Sequence, residues 1–333
     1  MDKERSQRKN ERNQNFGDDP ILMVRGATKK FGEIRAVAQV DLEVPPGGIF
    51  GLIGPSGAGK TTLIRLLTGV YQPDEGELDV LGTSPIDFQA EHKRNIGYMP
   101  QHFVLYPRLT VRENLDFVAA MYGMGLDRRQ RIQEVLDFVE LTPHRNKLSR
   151  NLSGGMQRRL SLSAALLHSP TLIFLDEPSA GIDPVLRSAI WEGLFQLRDE
   201  GRTLFVTTQY VSEAANCDLV AVLSEGSVIT VNTPAALRRE AYGGEILQVE
   251  LVEPLEGETF QELHEQDFIC KEVITEGTSR LRLVVEDAKS SIPELMAWFD
   301  SRDVEVKSID VAHPPFDDVF VKLVNSHQDD QDD

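Results

Sequence analysis

The fold is decided by residues 54–61, which read Gly54-Pro-Ser-Gly-Ala-Gly-Lys60-Thr61. They match the G-x-x-x-x-G-K-[ST] pattern of a phosphate-binding loop, and they stand between a short apolar run and a helical pattern. The glycines let backbone N–H groups turn toward phosphate oxygens, and the N-terminus of the following helix adds a favourable dipole. The sequence therefore predicts a phosphate site here, and an incidental glycine-rich turn is the alternative.

Two side chains of this loop have distinct predicted roles. Lys60 supplies a positive charge to the phosphates, and the hydroxyl of Thr61 is a ligand for Mg²⁺. The residues predicted to contact the phosphates are Gly54, Pro55, Ser56, Gly57, Ala58, Gly59, Lys60, Thr61 and Thr62.

A second group of polar residues follows the apolar run Leu172-Ile-Phe-Leu, which ends in Asp176-Glu177. A buried parallel strand that ends in two acids places them at the carboxyl edge of its sheet, beside a phosphate loop of the same domain. Asp176 is then predicted to hold Mg²⁺, and Glu177 to polarise an attacking water. The alternative is an ordinary acidic strand end.

From Ile21 to about Ala241, short apolar runs alternate with helical patterns, which is typical of an α/β layer fold. Three of these runs predict buried parallel strands: 48–53, 171–175 and 203–207. Residues from about 90 to 165 are mostly helical in pattern. Thr110 and Glu113 predict a capping box, and Asp183 predicts the start of a helix that Gly201 stops.

After Gly244 the pattern changes to the order β-α-β-β-α-β, which predicts a small ferredoxin-like α+β unit. The predicted organisation is a disordered tail at 1–19, an α/β domain at 20–243 with a helical subdomain at about 90–165, an accessory domain at 244–325 and a disordered acidic tail at 326–333.

Composition narrows the function classes. The net charge of −18 argues against the binding of nucleic acid as the main role, because a phosphate backbone repels such a surface. No stretch approaches the roughly 18 apolar residues of a membrane-spanning helix. Residues 1–19 contain no apolar signal-peptide core. We therefore expect a cytoplasmic protein that reaches a membrane only through a partner.

A family resemblance is carried by Leu152-Ser153-Gly154-Gly155-Met156-Gln157, which resembles the signature motif of ABC (ATP-binding cassette) ATPases. The resemblance covers residues 21 to about 235 and implies ATP and Mg²⁺ as ligands. In this family two cassettes pair head-to-tail, so that Ser153, Gly154 and Gly155 of one chain would close on the ATP of its partner. A second copy of the chain is the expected partner cassette.

Three further positions match family motifs. Phe31 matches the aromatic residue that stacks on adenine, although core packing is the alternative for a single phenylalanine. Gln101 matches the glutamine that contacts Mg²⁺ and links ATP to the helical subdomain. Asp183 matches the loop at the dimer interface, which is compatible with its role as a helix cap.

One position departs from the family pattern. Gln209, in Thr207-Thr-Gln-Tyr210, stands where the family usually has a switch histidine. Its amide can donate a hydrogen bond to the γ-phosphate, but it cannot carry a positive charge. Glutamine here resembles a subset of drug- and antibiotic-export ATPases.

The C-terminal run Pro314-Pro-Phe-Asp-Asp-Val-Phe-Val-Lys-Leu323 resembles the P-x-x-E-D-V-F-x-x-L ending of ATPases that serve ABC-2-type exporters, with Asp317 in place of glutamate. An amphipathic closing helix with Val319, Phe320 and Leu323 on one face is the alternative.

The resemblance thus implies the ATP-hydrolysing subunit of an ABC-2-type exporter of drugs, lipids or polysaccharides, at the cytoplasmic face of the cell membrane. A separate integral membrane permease would be its partner, docked near residues 101–125. The alternatives are an importer ATPase, a soluble ABC ATPase acting on ribosomes or nucleic acid, and a regulatory module switched by ATP.

Overall fold

A computed structural model describes residues 19–125, 128–255, 257–271, 273–275 and 279–332. The disordered tail predicted for residues 1–19 lies, apart from Asp19, outside them. The chain forms two compact units that divide between Val231 and Asn232. The unit that ends at Val231 is called the first unit, and the unit that starts at Asn232 is called the second unit.

The first unit contains nine strands in its described part. They are β1 (Leu22–Phe31), β2 (Ile34–Val44), β3 (Ile49–Ile53), β4 (Glu75–Val80), β5 (Ile96–Met99), β6 (Leu172–Asp176), β7 (Thr203–Thr208), β8 (Leu219–Ser224) and β9 (Ser227–Asn232). Its α-helices are α1 (Lys60–Leu67), α2 (Ala90–Arg94), α3 (Val111–Met121), α4 (Arg128–Phe138), α5 (Gly154–Leu166) and α6 (Pro184–Asp199).

A six-stranded sheet in the order β5-β6-β7-β3-β8-β9 forms the centre of the first unit. The neighbours from β5 to β8 are parallel. Every residue of β3, β6 and β7 is buried. Continuous apolar strands of this kind are buried on both faces, as in other parallel sheets. The three predicted parallel strands are therefore confirmed.

A second sheet of the first unit is antiparallel and has the order β2-β1-β4. Leu22 of β1 pairs with Val44 of β2 on one side and with Val80 of β4 on the other. The far end of the β1–β2 hairpin is the pair Phe31 and Ile34. Phe31 therefore lies at the tip of this sheet.

The predicted helix starts are confirmed by their caps. Thr110 Oγ1 accepts a hydrogen bond from Glu113 N at 3.2 Å, and Glu113 Oε2 accepts one from Thr110 N at 2.8 Å. Asp183 Oδ1 accepts from Leu186 N at 3.0 Å at the start of α6. These bonds satisfy backbone N–H groups that the first turn of a helix leaves free.

The prediction of a mostly helical segment from about 90 to 165 needs a correction at its start. Residues Ile96–Met99 form β5, which pairs in parallel with β6. Ile96 and Met99 are buried in the sheet, so tertiary packing decides the structure of this short apolar run. The long helices of the segment begin only at Val111.

The second unit contains α7 (Pro234–Tyr242), β10 (Glu245–Leu251), α8 (Gly257–His264), β11 (Ile274–Thr275), β12 (Arg280–Val285), α9 (Ala288–Asp300), β13 (Val306–Ala312) and α10 (Phe316–Asp332). Its strands form a sheet in the order β11-β12-β10-β13, and all neighbours are antiparallel. Leu263, Leu295 and Phe299 from the helices pack with the strands in its apolar core.

Helices α7 and α10 change two predicted boundaries. Helix α7 packs against α10, so the division between the units precedes α7 rather than falling near residue 243. Helix α10 runs to Asp332, so residues 326–332 are helical instead of a disordered tail. This stretch contains no proline or glycine that would stop the helix.

The apolar face of α10 includes Phe316, Val319 and Leu323, which are buried. Val319 and Leu323 therefore have the packing role that the closing-helix interpretation states, while Phe320 is only half-buried. None of the described helices is both long enough and apolar enough to cross a membrane.

We predict that Asn114→Ala destabilises the first unit by about 2–4 kcal/mol. The side chain of Asn114 is fully buried and forms hydrogen bonds with Tyr106 N (2.8 Å), Tyr106 O (3.1 Å) and Ser149 Oγ (2.6 Å). Alanine would leave Tyr106 N without its partner and would remove one hydrogen bond each from Tyr106 O and Ser149 Oγ, which keep only their bonds with Leu109.

Urea unfolding followed by tryptophan fluorescence measures this loss. The chain has two tryptophans, Trp191 and Trp298. In a Trp298→Phe background the signal comes from Trp191, in the first unit. Asn151→Ala, at an exposed asparagine of the same unit, is the matched control. Equal unfolding midpoints for Asn114→Ala and the control would contradict the prediction.

Candidate functional site

The predicted phosphate loop connects the end of β3 at Ile53 with the start of α1 at Lys60. The backbone of Gly59 has φ +105°, and a Cβ there would lie 2.2 Å from Ala36 O. A Cβ on Gly54 would lie 2.3 Å from the Leu223 carbonyl oxygen. Both positions therefore require glycine. The residues at the crest of the loop, Pro55, Ser56 and Gly57, are exposed.

Lys60 lies almost completely inside the protein, with 4% of its surface exposed. Its Nζ donates hydrogen bonds to Gly54 O at 2.8 Å and to Pro55 O at 2.9 Å, and it lies 3.9 Å from Glu177 Oε1. Burial lowers the pKa of Lys60, and the nearby carboxylates of Glu177 and Asp176 oppose that shift. The ammonium group is thus held beneath the loop, near two acids.

Asp176, the last residue of β6, is fully buried. Its Oδ1 accepts hydrogen bonds from Thr207 Oγ1 at 2.6 Å and from Thr61 Oγ1 at 3.2 Å. Its Oδ2 has no hydrogen-bond partner among the described residues. The carboxylate therefore joins β6, β7 and the first turn of α1.

These residues fit a Mg²⁺ ion. Mg²⁺ prefers oxygen ligands and is usually held by one or two protein groups together with substrate phosphates. The Asp176 Oδ2 atom is an unpartnered buried carboxylate oxygen, and the Thr61 hydroxyl lies beside the same carboxylate. The donor set is therefore that of a site shared between the protein and a nucleotide.

Glu177 is 6% exposed and has a left-handed backbone, with φ +52°. Its backbone is fixed from two sides. The N–H donates to Thr207 O at 3.0 Å, and the carbonyl accepts from Arg158 Nη1 at 2.9 Å. Its side-chain Oε2 accepts from Gln101 Nε2 at 3.0 Å. Strained backbone of this kind costs about 1–3 kcal/mol and clusters at functional sites.

The structure thus brings together five of the predicted residues. Hydrogen bonds and an ion pair join Lys60, Thr61, Gln101, Asp176 and Glu177 in one cluster at the carboxyl edge of the parallel sheet. Within the described part of the chain, no hydrogen bond or ion pair connects this cluster with the side chains of Phe31, Ser153 or Gln209.

Phe31 does not pack in the core, because 44% of its surface is exposed. Its ring meets the ring of Tyr71 edge-on, with centroids 5.4 Å apart and an interplanar angle of 68°. The core-packing alternative for Phe31 therefore does not describe this structure. An exposed ring at the tip of a sheet is suited to stacking on a base.

The predicted signature residues lie at the start of α5. Ser153 is the N-cap, and its Oγ accepts from Met156 N at 3.4 Å. Ser153 and Gly154 are exposed. A Cβ on Gly155 would lie 3.1 Å from Leu186 of α6, so this glycine allows close packing with the segment after Asp183. The helix N-terminus is therefore open on the surface of the first unit.

Gln209 follows β7 directly, and its side chain is exposed. The residues on either side of Gln209, Thr208 and Tyr210, are held by the buried carboxylate of Glu213 and by Arg187 of α6. Glu213 Oε2 accepts from Thr208 Oγ1 at 2.6 Å, and Glu213 Oε1 lies 3.7 Å from Arg187 Nε. The Arg187 guanidinium lies 4.4 Å from the centroid of the Tyr210 ring. The backbone on both sides of Gln209 is thus anchored to α6.

Two residues that contact the cluster, Thr207 and Arg158, were not predicted from the sequence. Thr207 binds Asp176 and the backbone of Glu177, and the pairing of Asp176 with Thr207 in the parallel register could have indicated it. Arg158 holds the Glu177 carbonyl from α5. No local pattern indicates that contact, because it depends on how α5 packs.

A family model described as ABC transporter matches residues 37–180. The probable multidrug ABC transporter ATP-binding protein YbhF of Escherichia coli K12 is 34% identical over 313 residues, which are 92% of this chain and 52% of that protein. The chain therefore spans about half the length of this relative.

A second relative matches almost end to end. The daunorubicin resistance ATP-binding protein DrrA3 of Streptomyces coeruleorubidus is 32% identical over 320 residues, which are 92% of this chain and 96% of that protein. Among solved structures, a dimeric ATP-binding cassette in a post-hydrolysis state, bound to ADP and Pi, superposes with a TM-score of 0.60. It is 29% identical and covers 64% of this chain and 98% of its own.

The chain has the phosphate loop, the signature motif at the start of α5 and the acid pair at the end of β6. These motifs follow one another along the chain in the same order as in that family. With a relative similar over nearly its whole length, they show that this chain belongs to the ATP-binding proteins of the ABC transporter family.

Proposed function

We propose that the chain binds and hydrolyses ATP and so drives export through a separate membrane permease, at the cytoplasmic face of the membrane. The observation that carries this proposal is the cluster of the buried residues Lys60, Asp176 and Glu177 with the half-buried Gln101, directly beneath a phosphate loop. The two relatives are named for multidrug transport and for daunorubicin resistance, and these names support export as the direction of transport.

The phosphates of ATP would replace two loop carbonyl oxygens as the hydrogen-bond acceptors of Lys60. Lys60 Nζ donates to two loop carbonyls, and the γ- and β-phosphate oxygens are stronger acceptors for an ammonium group. Binding a trianionic phosphate chain would also oppose the effect of burial and keep Lys60 protonated. The exposed crest at residues 55–57 gives the phosphates access to the backbone N–H groups.

Mg²⁺, when bound, would neutralise charge on the β- and γ-phosphates. The residues that would hold it are Thr61, Asp176 and Gln101. Gln101 donates its Nε2 hydrogen to Glu177, which leaves the carbonyl oxygen of the same amide as a ligand. The one side chain can therefore serve the metal and orient the catalytic carboxylate together.

Glu177 would act as the general base. Its carboxylate accepts a proton from the attacking water while the bond between the γ-phosphorus and the bridging oxygen breaks, and ADP leaves with that oxygen. The fixed backbone and the Gln101 hydrogen bond hold the carboxylate in place before the reaction. Gln209 would add a neutral hydrogen bond to the γ-phosphate from the adjacent strand end.

A second copy of the chain would complete the site. The exposed N-terminus of α5, with Ser153, Gly154 and Gly155, offers backbone N–H groups and a positive dipole end to an anion. Two chains related by a two-fold axis would each close this terminus on the ATP of the other. Loss of the γ-phosphate removes the preference for the closed dimer and lets it open.

Four exposed apolar side chains within residues 101–125 support a docking surface for the permease. They are Val104 (68% exposed), Tyr106 (50%), Phe117 (40%) and Met121 (72%). The rings of Tyr106 and Phe117 meet at 4.7 Å, and Phe117 and Met121 share a face of α3 at a spacing of four residues. We infer that a helix of the permease docks here and receives the motion of Gln101.

We also propose a helical subdomain in the first unit and a ferredoxin-like fold for the second unit. Helices α3, α4 and α5 would form the helical subdomain of the cassette. The antiparallel order β11-β12-β10-β13, with α8 and α9 between strands, supports a ferredoxin-like arrangement of the second unit. Its role would be accessory, as support for the dimer or regulation of the ATPase.

We predict that Glu177→Gln lowers ATP turnover by about 10²–10⁴-fold while ATP still binds, because glutamine keeps the shape but cannot accept the proton. With ATP and Mg²⁺ the variant should also remain a closed dimer in light scattering after size-exclusion chromatography. Glu91→Gln, which changes an exposed glutamate of the same unit, is the matched control. Unchanged turnover in Glu177→Gln would disprove this role.

Removal of the buried charge of Lys60 should abolish useful nucleotide binding. We expect Lys60→Ala to weaken ATP affinity by at least about 100-fold, since charge-assisted hydrogen bonds to the phosphates are lost. Isothermal titration calorimetry measures this, with Lys93→Ala as a control at an exposed lysine. A Lys60→Ala chain that binds ATP like the control would contradict the assigned phosphate site.

The permease is tested by purifying tagged Glu177→Gln chain from detergent-solubilised native membranes with ATP and Mg²⁺. We expect a multi-spanning membrane protein in the mass spectrum. A second substitution, Met121→Asp, should remove that protein, and Met296→Asp, at an exposed methionine of the second unit, should not. Ribosomal or DNA-bound partners in its place would overturn the export proposal and leave the ATPase proposal standing.

A further inference from the structure

If Phe31 stacks on the base of a nucleotide, its distance from the phosphate loop must be fixed. Phe31 lies at the tip of the β1–β2 hairpin, where it forms the last pair with Ile34, and almost half of its surface is exposed. The distance between the base and the phosphates of a nucleotide has narrow limits. A stacking ring must therefore be held at a fixed distance from residues 54–61, or the base and the phosphates cannot bind together.

Tyr71 provides a link of this kind. Its ring packs edge-on against Phe31, at 5.4 Å between centroids. Its hydroxyl accepts a hydrogen bond from Arg65 Nη1 at 3.1 Å, and its backbone N–H donates to Arg65 O at 3.0 Å. Arg65 belongs to α1, the helix that starts at Lys60 in the phosphate loop. The aromatic pair is thus tied to the same helix that holds the phosphate site.

Asp74 holds the strand that carries Phe31. Its backbone N–H donates to Thr28 O at 2.8 Å, and its Oδ2 accepts from Lys30 N at 2.6 Å. Its Oδ1 accepts from Lys29 Nζ at 2.9 Å. The hydrogen bond from Lys29 is the main cause of a lowered pKa at Asp74. The end of β1 is therefore fixed to the Tyr71–Asp74 segment by its backbone as well.

We propose that Tyr71 is a positioning residue for nucleotide recognition. It holds the Phe31 ring at a set distance from the phosphate loop and thereby controls the base-dependent part of ATP affinity, without touching the phosphates. This inference rests on the proposed function and adds to it a residue that determines base recognition.

The test separates base recognition from phosphate recognition. The KM for ATP is measured together with the Ki of inorganic tripolyphosphate, which has the phosphate chain but no base. Tyr71→Leu should raise the KM for ATP about two- to tenfold, the range expected for one aromatic pair, while kcat and the Ki of tripolyphosphate stay unchanged. Tyr71→Phe loses the hydroxyl but keeps the ring and the backbone hydrogen bond to Arg65 O, and it should stay within about twofold of the wild-type KM.

A double-mutant cycle shows whether Tyr71 acts through Phe31. In a Phe31→Leu background, Tyr71→Leu should have no further effect on the KM for ATP. A full effect in that background, or a Ki of tripolyphosphate that rises with the KM, would overturn the inference. Tyr122→Leu, which removes another half-buried tyrosine ring of the first unit, is the control for general loss of packing and should leave KM unchanged.

Different results would refute the proposed function and the role of Tyr71. A wild-type chain that neither hydrolyses ATP nor responds to tripolyphosphate would refute the proposed function. A wild-type chain with normal turnover, whose Tyr71→Leu variant keeps the wild-type KM for ATP, would refute the role of Tyr71 alone.

Discussion

The candidate site depends on the parallel register of β6, β7 and β3. Asp176 pairs with Thr207, and Ile53 pairs with Thr208, so the three strands end at the same level. The phosphate loop, the two carboxylates and Gln209 all follow these strand ends. Because side chains alternate between the faces of a strand, a slip of one residue would turn Asp176 away from Thr61. The fully buried interiors of these strands therefore fix the positions of the polar groups at their ends.

That edge concentrates charge inside the protein. Lys60, Asp176 and Glu177 are all buried, and buried charges are costly unless they are paired. Here the pairing is partial. Lys60 lies 3.9 Å from Glu177, and its hydrogen bonds go to neutral carbonyls, while Asp176 Oδ2 has no partner among the described residues. In the proposed function a metal ion and a phosphate chain would supply the missing partners.

Local sequence patterns predicted those parts of the molecule that local physics decides. The phosphate loop, the caps at Thr110 and Asp183 and the three buried strands each follow from a few adjacent residues. What the sequence could not predict depends on packing. A short apolar run at Ile96–Met99 became a sheet strand, and α7 packed against α10 instead of closing the first unit. The contacts of Arg158 with Glu177, and of Tyr71 with Phe31, likewise join segments far apart in the chain.

In the proposed function, each ATP is held by the phosphate loop of one chain and by the N-terminus of α5 of another. Complementation tests it most directly: purified Lys60→Ala and Ser153→Arg chains, each inactive alone, are mixed and their ATPase activity is measured. A mixed head-to-tail dimer has both defects in one site and none in the other. Since half of the dimers are mixed and each mixed dimer has one intact site of two, we expect recovery of about a quarter of the wild-type activity. A mixture as inactive as its components would show that loop and signature do not pair between chains.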